Sequence, residues 1–339
     1  MINTKRVEWV DIIKYICIMF VMLSHLETNT EIMKSFYTPF CLTGFFFVSG
    51  YVYRQPESFV VLLKKKSKGL LLPWFIFSNL NILASQVISF KANRCLKTEV
   101  LKNLLQIRGY GDGLWFVAAL FVAFIPFYYV VKIENRNIAV IFIFILSFIS
   151  KLYVEFFPKN FFPWGKAALP WHLEYIFQAM LWMLLGYYFK GEVEEFVDSK
   201  NTRLNRFILL FVYLVLIAFL SEELLGKVGW IAASYIISLL GVLLLIMLSK
   251  VLKTNNYIEY VGANTLIYFA LHGKLYAVVQ RVLKCKAGTM YCTCLHNIYY
   301  SIIISVLITI LLSLILIIPS FIINRWFPWM VGRKAAKKA

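Results

Sequence analysis

The chain has 339 residues, of which 61% are hydrophobic and 17% aromatic, and its mean hydropathy of +0.74 lies far above that of soluble proteins. Only 15% are charged, and these fall in clusters between long uncharged runs, which excludes a single soluble core and makes the chain a polytopic membrane protein. The formal net charge of +18 resides in the short gaps between apolar runs, so it reads as membrane orientation and not as a nucleic-acid surface; no nucleic-acid module is recognisable.

Lys5 and Arg6 precede the first apolar run as they would in a signal peptide, but no A-x-A-like cleavage site follows, so the run is read as a retained span. Uncharged windows long enough to cross a bilayer predict ten membrane helices: 9–26, 37–53, 70–90, 114–131, 138–154, 173–189, 207–221, 230–249, 259–282 and 297–324. No internal repeat, low-complexity tract or separate soluble domain interrupts them, and the expectation is one all-α membrane domain over 1–339. With the N-terminus in the cytoplasm, 20 Lys and Arg fall inside and 13 outside, with Lys14 and Lys274 within spans; both termini are therefore expected inside, in the cytoplasmic membrane.

The first window carries Asp11, Lys14 and His25. Ionisable groups near the middle of a membrane helix cost at least ~2.5–3.5 kcal/mol each, so they are functional candidates by default. Lys14 and His25 are 11 residues apart, which returns to within roughly 20° of one helix face and separates them by ~16 Å along the axis. Asp11, three residues before Lys14, is placed to pair with it. In the expected orientation the cation lies near the cytoplasm and the imidazole toward the outer half.

Three further groups stand out. Lys64, Lys65, Lys66 and Lys68 form a cationic patch at the cytoplasmic mouth, open to anionic lipid or to a phosphate. Gly109 to Phe116 sets three glycines around Asp112 and Trp115, and an aromatic beside a carboxylate suits a sugar ring. Glu174 beside His172, and His272 with Lys274, are candidates for acceptor contacts or for interhelical hydrogen bonds. The spacing Cys292-x-Cys294-x-His296, with Cys285 upstream, matches no zinc pattern, and no metal is expected; a disulfide or free thiols fit an outer-face loop.

Arg6-Val7-Glu8-Trp9-Val10-Asp11-Ile12-Ile13-Lys14 followed by Val21-Met22-Leu23-Ser24-His25 resembles the opening of the membrane acyltransferase-3 family, the bacterial O-acyltransferases of cell-surface sugars. The family's usual form is a basic residue, ten residues, then His; here Lys14 fills a place that is often Arg, and Ser24 one that is often Gly. Lysine keeps the charge without the guanidinium fork. The resemblance continues through Phe45–Tyr51, Leu72-Pro73-Trp74, Leu114–Val117, Leu185–Tyr188, and Gly262–Tyr268 leading to Leu271-His272.

That resemblance implies acetyl-coenzyme A as cytoplasmic donor and a carbohydrate hydroxyl as acceptor, on a free or lipid-linked glycan, with O-acetylation of a cell-envelope or exported glycan as the outcome. In that frame Lys14, with Lys64, Lys65 and Lys66, would meet coenzyme A phosphates. The ~16 Å to His25 is comparable with an extended phosphopantetheine arm. His25 would act as general base or carry the acyl group, with Asp11 orienting Lys14. Asp112, Trp115, Glu174 and His272 would face the acceptor. The rival class is a flippase for lipid-linked sugars, since carriers also place charges within spans; no inverted repeat or pair of broken helices supports it.

Overall fold

The computed structural model describes residues 7–89, 95–109 and 113–333, apart from the side chains of 87–89, 289, 290 and 292–295. Among them there are fifteen α-helices and no strand. In chain order they are α1 Glu8–Ser24, α2 Glu31–Tyr51, α3 Phe59–Lys66, α4 Leu72–Ser89, α5 Leu96–Leu105, α6 Trp115–Val130, α7 Arg136–Phe156 and α8 Ile176–Tyr188. Then follow α9 Lys190–Lys200, α10 Arg203–Phe219, α11 Glu222–Val251, α12 Asn256–Ala263, α13 Thr265–His296, α14 Ile298–Ile315 and α15 Ile317–Trp326. A π-helical turn, Ser67–Leu71, links α3 to α4, and 3-10 turns cover Pro170–Tyr175 and Pro328–Val331.

The helix starts follow local chemistry. Ser58, Asn135, Thr202, Ser221, Asn255 and Asn297 each accept a backbone N–H of the following first turn through a side-chain oxygen, which satisfies a donor the helix leaves open. Among the described residues three helices, Arg136–Phe156, Glu222–Val251 and the run Ile298–Trp326, are long and apolar enough to cross a membrane; α9 with α10, bent by 112°, makes a fourth if counted as one span.

Each window predicted from composition overlaps a helix, but several are interrupted. The 173–189 window has its first residues in the 3-10 turn, because Trp171 and His172 adopt φ of 57° and 55° and break the α ladder. The 259–282 window splits at Asn264 into α12 and α13. In the 297–324 window α14 stops at Ile315, four residues before Pro319, which has no N–H to give to that carbonyl. Helix α13 is broken at Ala287 (φ −132°, ψ 32°), beside the Arg281–Lys286 stretch where an outer loop is expected from the sequence, and a second helical piece then reaches His296.

The described chain divides into two compact units, Met1–Tyr51 with Phe189–Ile317 and Val52–Tyr188 with Ile318–Ala339. In the first, α1 is the central helix and packs against α2, α11, α12, α13 and α14. Its buried positions, among them Asp11, Ile12, Ile13, Cys17, Ile18, Val21 and Met22, go round the helix instead of forming one stripe, as expected of a helix enclosed by others. Two glycines permit this. A Cβ on Gly44 would stand 2.9 Å from the Cys17 sulfur, and one on Gly262 would stand 2.4 Å from the Asp11 carbonyl oxygen. In the second unit α6, α7 and α8 pack around the Pro170–Tyr175 turn, while α3 and the π-helical turn lie on α6. The Pro328–Val331 turn packs on α4 and on the π-helical turn.

Candidate active site

In the first unit the site is built on α1 and the segment after it. Lys14 Nζ lies 3.1 Å from Asp11 Oδ1; the carboxylate is buried and the ammonium half-buried. Gly262 lets α12 close on the Asp11 backbone, so the pair sits where α12 meets α1.

His25 is the C-cap of α1 and is exposed. Its Nδ1 lies 2.8 Å from the Val21 carbonyl oxygen and 3.1 Å from Ser24 Oγ, which itself donates to the Val21 oxygen at 2.7 Å. A carbonyl oxygen only accepts, so this neighbourhood assigns the proton to Nδ1 and leaves the lone pair on Nε2. No described residue hydrogen-bonds Nε2. On α13, His272 is buried and presents its Nε2 3.3 Å from His25 Nδ1, with ring centres 4.7 Å apart.

The chain beyond His25 is pinned on several sides. Leu26 enters an apolar cluster with Tyr276, Tyr291, Ile308 and Leu312. The Glu27 backbone N–H donates to Tyr276 Oη at 2.7 Å, Ser305 Oγ donates to Thr28 Oγ1 at 2.7 Å, and Asn29 Nδ2 donates to Tyr37 Oη at 2.7 Å. Lys284 Nζ stands 2.9 Å from the Glu27 carboxylate and, with Gln280, holds that carboxyl below its usual range.

The second unit holds two other polar features. A cleft of about 820 Å³ is lined by Lys64, Ser67, Lys68, Leu71, Leu72, Trp74, Phe75 and Trp171. The Trp74 and Trp171 rings are 4.9 Å apart, and the buried Trp74 Nε1 has no hydrogen-bond partner. Gly332, with φ of 69°, lies against the Lys68 carbonyl, where a Cβ would come within 2.2 Å, so the Pro328–Val331 turn closes tightly on the π-helical turn that supplies part of this cleft.

The other feature is a buried polar knot. The Arg108 guanidinium lies 4.2 Å from the Trp115 ring centre and 5.2 Å from that of Tyr175, and the His172 ring is 5.4 Å from Trp115. His172 Nδ1 is 3.7 Å from Glu174 Oε1, and Glu174 Oε2 accepts the Leu169 N–H at 2.8 Å. Arg108 Nη1, both His172 nitrogens and Glu174 Oε1 are buried without a hydrogen-bond partner. The two left-handed residues Trp171 and His172 cost roughly 1–2 kcal/mol each, and such strain gathers at binding and active sites.

Over residues 7–325 the sequence matches the profile of the acyltransferase-3 family, described as an acyltransferase domain. The chain belongs to the acyltransferase-3 family. No curated protein and no solved structure matches it. Family and apolar helices together make it a membrane acyltransferase.

The predicted site residues of this acyltransferase are distributed as follows. Asp11, Lys14, His25 and His272 belong to the first unit, and His272 meets His25 itself. Trp115 and Glu174 belong to the knot of the second unit, while Asp112 lies outside the described residues. The lysine run separates. Lys64 lines the cleft with Lys68, Lys65 is exposed, and Lys66 turns to the Phe124 ring, 3.3 Å from its centre. Burial, and then the neighbouring Lys65, lower the Lys66 ammonium to about 7.

Sequence reasoning passes over Arg108, Tyr276 and Ser305. Arg108 carries the one usable signal, a cation one residue before the glycine-rich run. Cys285 is exposed, and the side chains of Cys292 and Cys294 lie outside the described residues. Among the described residues no three His, Cys, Asp or Glu side chains are grouped for a metal ion.

Proposed function

We propose that this acyltransferase moves an acetyl group from cytoplasmic acetyl-coenzyme A to a hydroxyl of a cell-surface or exported carbohydrate, with His25 as general base. The reading includes ten membrane spans, cytoplasmic termini and residence in the cytoplasmic membrane. The observation that carries it is the hydrogen-bonding of His25. Nδ1 is committed to the Val21 carbonyl at 2.8 Å, so Nε2 of this exposed residue, which no described residue hydrogen-bonds, is the basic nitrogen.

In the proposed step Nε2 takes the proton of the acceptor hydroxyl as its oxygen attacks the thioester carbonyl. The C–S bond breaks, and the proton passes from Nε2 to the departing thiolate. An acyl-imidazole on the same nitrogen is the covalent variant of this route.

Support for the donor comes from two cationic features. Lys14, steadied by Asp11 at 3.1 Å, offers a point charge to a phosphate. The cleft offers Lys64 and Lys68 beside the indoles of Trp74 and Trp171, a combination suited to a phosphorylated, purine-bearing ligand. For the acceptor, the knot beside Trp115 offers atoms of Arg108, His172 and Glu174 that are buried without a hydrogen-bond partner, donors and acceptors of the kind a polyol complements.

The test compares wild type with His25→Ala at matched membrane abundance, scoring ester-linked acetyl on surface glycan. Loss of acetylation is expected, and full acetylation in the variant would remove His25 from the chemistry. Lys14→Ala is expected to weaken acetyl-coenzyme A binding in purified protein; unchanged affinity would refute its phosphate role.

A further inference from the structure

The ring that faces His25 is itself held in one tautomer. His272 Nδ1 lies 2.9 Å from the Phe269 carbonyl oxygen and 3.1 Å from that of Tyr268, one turn back on α13. Both oxygens only accept, so Nδ1 carries the hydrogen and Nε2 presents a lone pair. That lone pair is 3.3 Å from His25 Nδ1, and the two rings meet at 70°. The His25 Nδ1–H is therefore shared between the Val21 oxygen at 2.8 Å and His272 Nε2 at 3.3 Å.

We propose that His272 is a positioning residue for His25: a buried, neutral imidazole that fixes the orientation of the base and shares the charge it acquires. The proposal rests on His25 being the base. In the resting state the shorter bond to Val21 dominates. Once Nε2 takes a proton the ring becomes an imidazolium, its Nδ1–H becomes a charge-assisted donor, and an adjacent lone pair gains in value. A carboxylate in this place would bind the cation more strongly, but it would bring a second buried charge onto an apolar helix. A second imidazole supplies the acceptor without that cost. The geometry also accounts for the burial of a polar ring on α13, since its own N–H is satisfied by backbone and its open nitrogen by His25.

The experiment uses the full-length protein in detergent and separates kcat from KM in wild type, His272→Leu, His272→Gln, His25→Ala and the double variant His25→Ala/His272→Leu. Glutamine can place its carbonyl oxygen near the position of Nε2, whereas leucine fills the space without an acceptor. Expected is a fall in kcat of about 10- to 100-fold for His272→Leu, a small part of the range that general bases contribute. KM for acetyl-coenzyme A should be unchanged, and His272→Gln should recover kcat to within a few-fold of wild type. In the His25→Ala background the leucine change should have no further effect, because the two rings act as one unit. Wild-type kcat in His272→Leu would overturn the inference, as would equal impairment of the leucine and glutamine variants. Should His25→Ala retain full activity, the base assignment itself would fail, a result distinct from both of these.

Discussion

Replacing Lys66 by methionine separates two roles that the run Lys64-Lys65-Lys66 leaves merged in the sequence. The Lys66 ammonium stands 3.3 Å from the centre of the Phe124 ring and 5.9 Å from that of Tyr53. Ring faces favour the cation by about 0.5–2 kcal/mol. Loss of water opposes it: the displacement from 10.5 to about 7 corresponds to at most about 5 kcal/mol, and to roughly 2–3 kcal/mol once discounted for the part of the side chain that water still reaches. Desolvation wins. Between about 7 and 10.5 the folded state holds fewer protons at this site than the unfolded chain, so stability rises with pH across that window. The cost is fully present below about 7 and is relieved as pH approaches 10.5. Methionine keeps the length of the stem and places a sulfur against the ring. Lys66→Met should therefore raise the thermal midpoint of the detergent-solubilised protein below neutral pH, and the advantage should shrink steadily in alkaline buffer. Acetyl-coenzyme A affinity should stay near wild type. Parallel pH profiles for the two proteins would refute the burial argument, and a large loss of donor affinity would return Lys66 to the phosphate site.

Two further predictions follow from contacts of the same kind. In Gly262→Ala the new methyl meets the Asp11 carbonyl oxygen at 2.4 Å, and because that atom is backbone it cannot swing away; a loss of about 1–3 kcal/mol is expected, read as a lower unfolding temperature. Lys64→Ala and Lys68→Ala should each raise KM for acetyl-coenzyme A by about 3- to 10-fold with kcat unchanged, an effect that salt should diminish; KM unmoved in both would dissociate the cleft from the donor.

How much of this is legible in the sequence depends on the range of the interaction. The i, i+3 placement of Asp11 and Lys14 is local, and the 3.1 Å pairing follows from helix geometry alone. The overlap of every apolar window with a helix follows from composition in the same way. The partnership of His25 with His272 does not, because 247 residues separate them and only the packing of α1 against α13 brings them together. The same holds for Tyr276 and Ser305, which are unremarkable aromatic and hydroxyl residues on apolar helices until they meet Glu27 and Thr28. The lysine run shows the opposite difficulty: four cations within five positions look alike, yet the turn from α3 into the π-helical segment sends Lys64 and Lys68 to the cleft and Lys66 to an aromatic wall.

The two units also differ in how completely their polar groups are satisfied. Around His25 the hydrogen-bonding groups of residues 24–29 are largely engaged, by Val21, Tyr276, Ser305 and Tyr37, with the Asn29 side-chain oxygen and His25 Nε2 left open. A base held this way needs little reorganisation when charge develops on it. Around Trp115 the balance is reversed: Arg108 Nη1, two His172 nitrogens and Glu174 Oε1 are buried without a hydrogen-bond partner, His172 Nδ1 and Glu174 Oε1 standing 3.7 Å apart, beside a backbone strained at Trp171 and His172. Each such atom costs about 1–3 kcal/mol unless something completes it. Buried polar groups of this kind are ordinarily completed by ordered water or by a ligand. A ligand or water that both donates and accepts completes all of them, and a carbohydrate does so with hydroxyls. Whether the knot takes a ligand or only water is tested by Glu174→Gln. With a sugar as the occupant, the amide should raise the acceptor KM while leaving acetyl-coenzyme A hydrolysis unchanged. With only water there, neither should move.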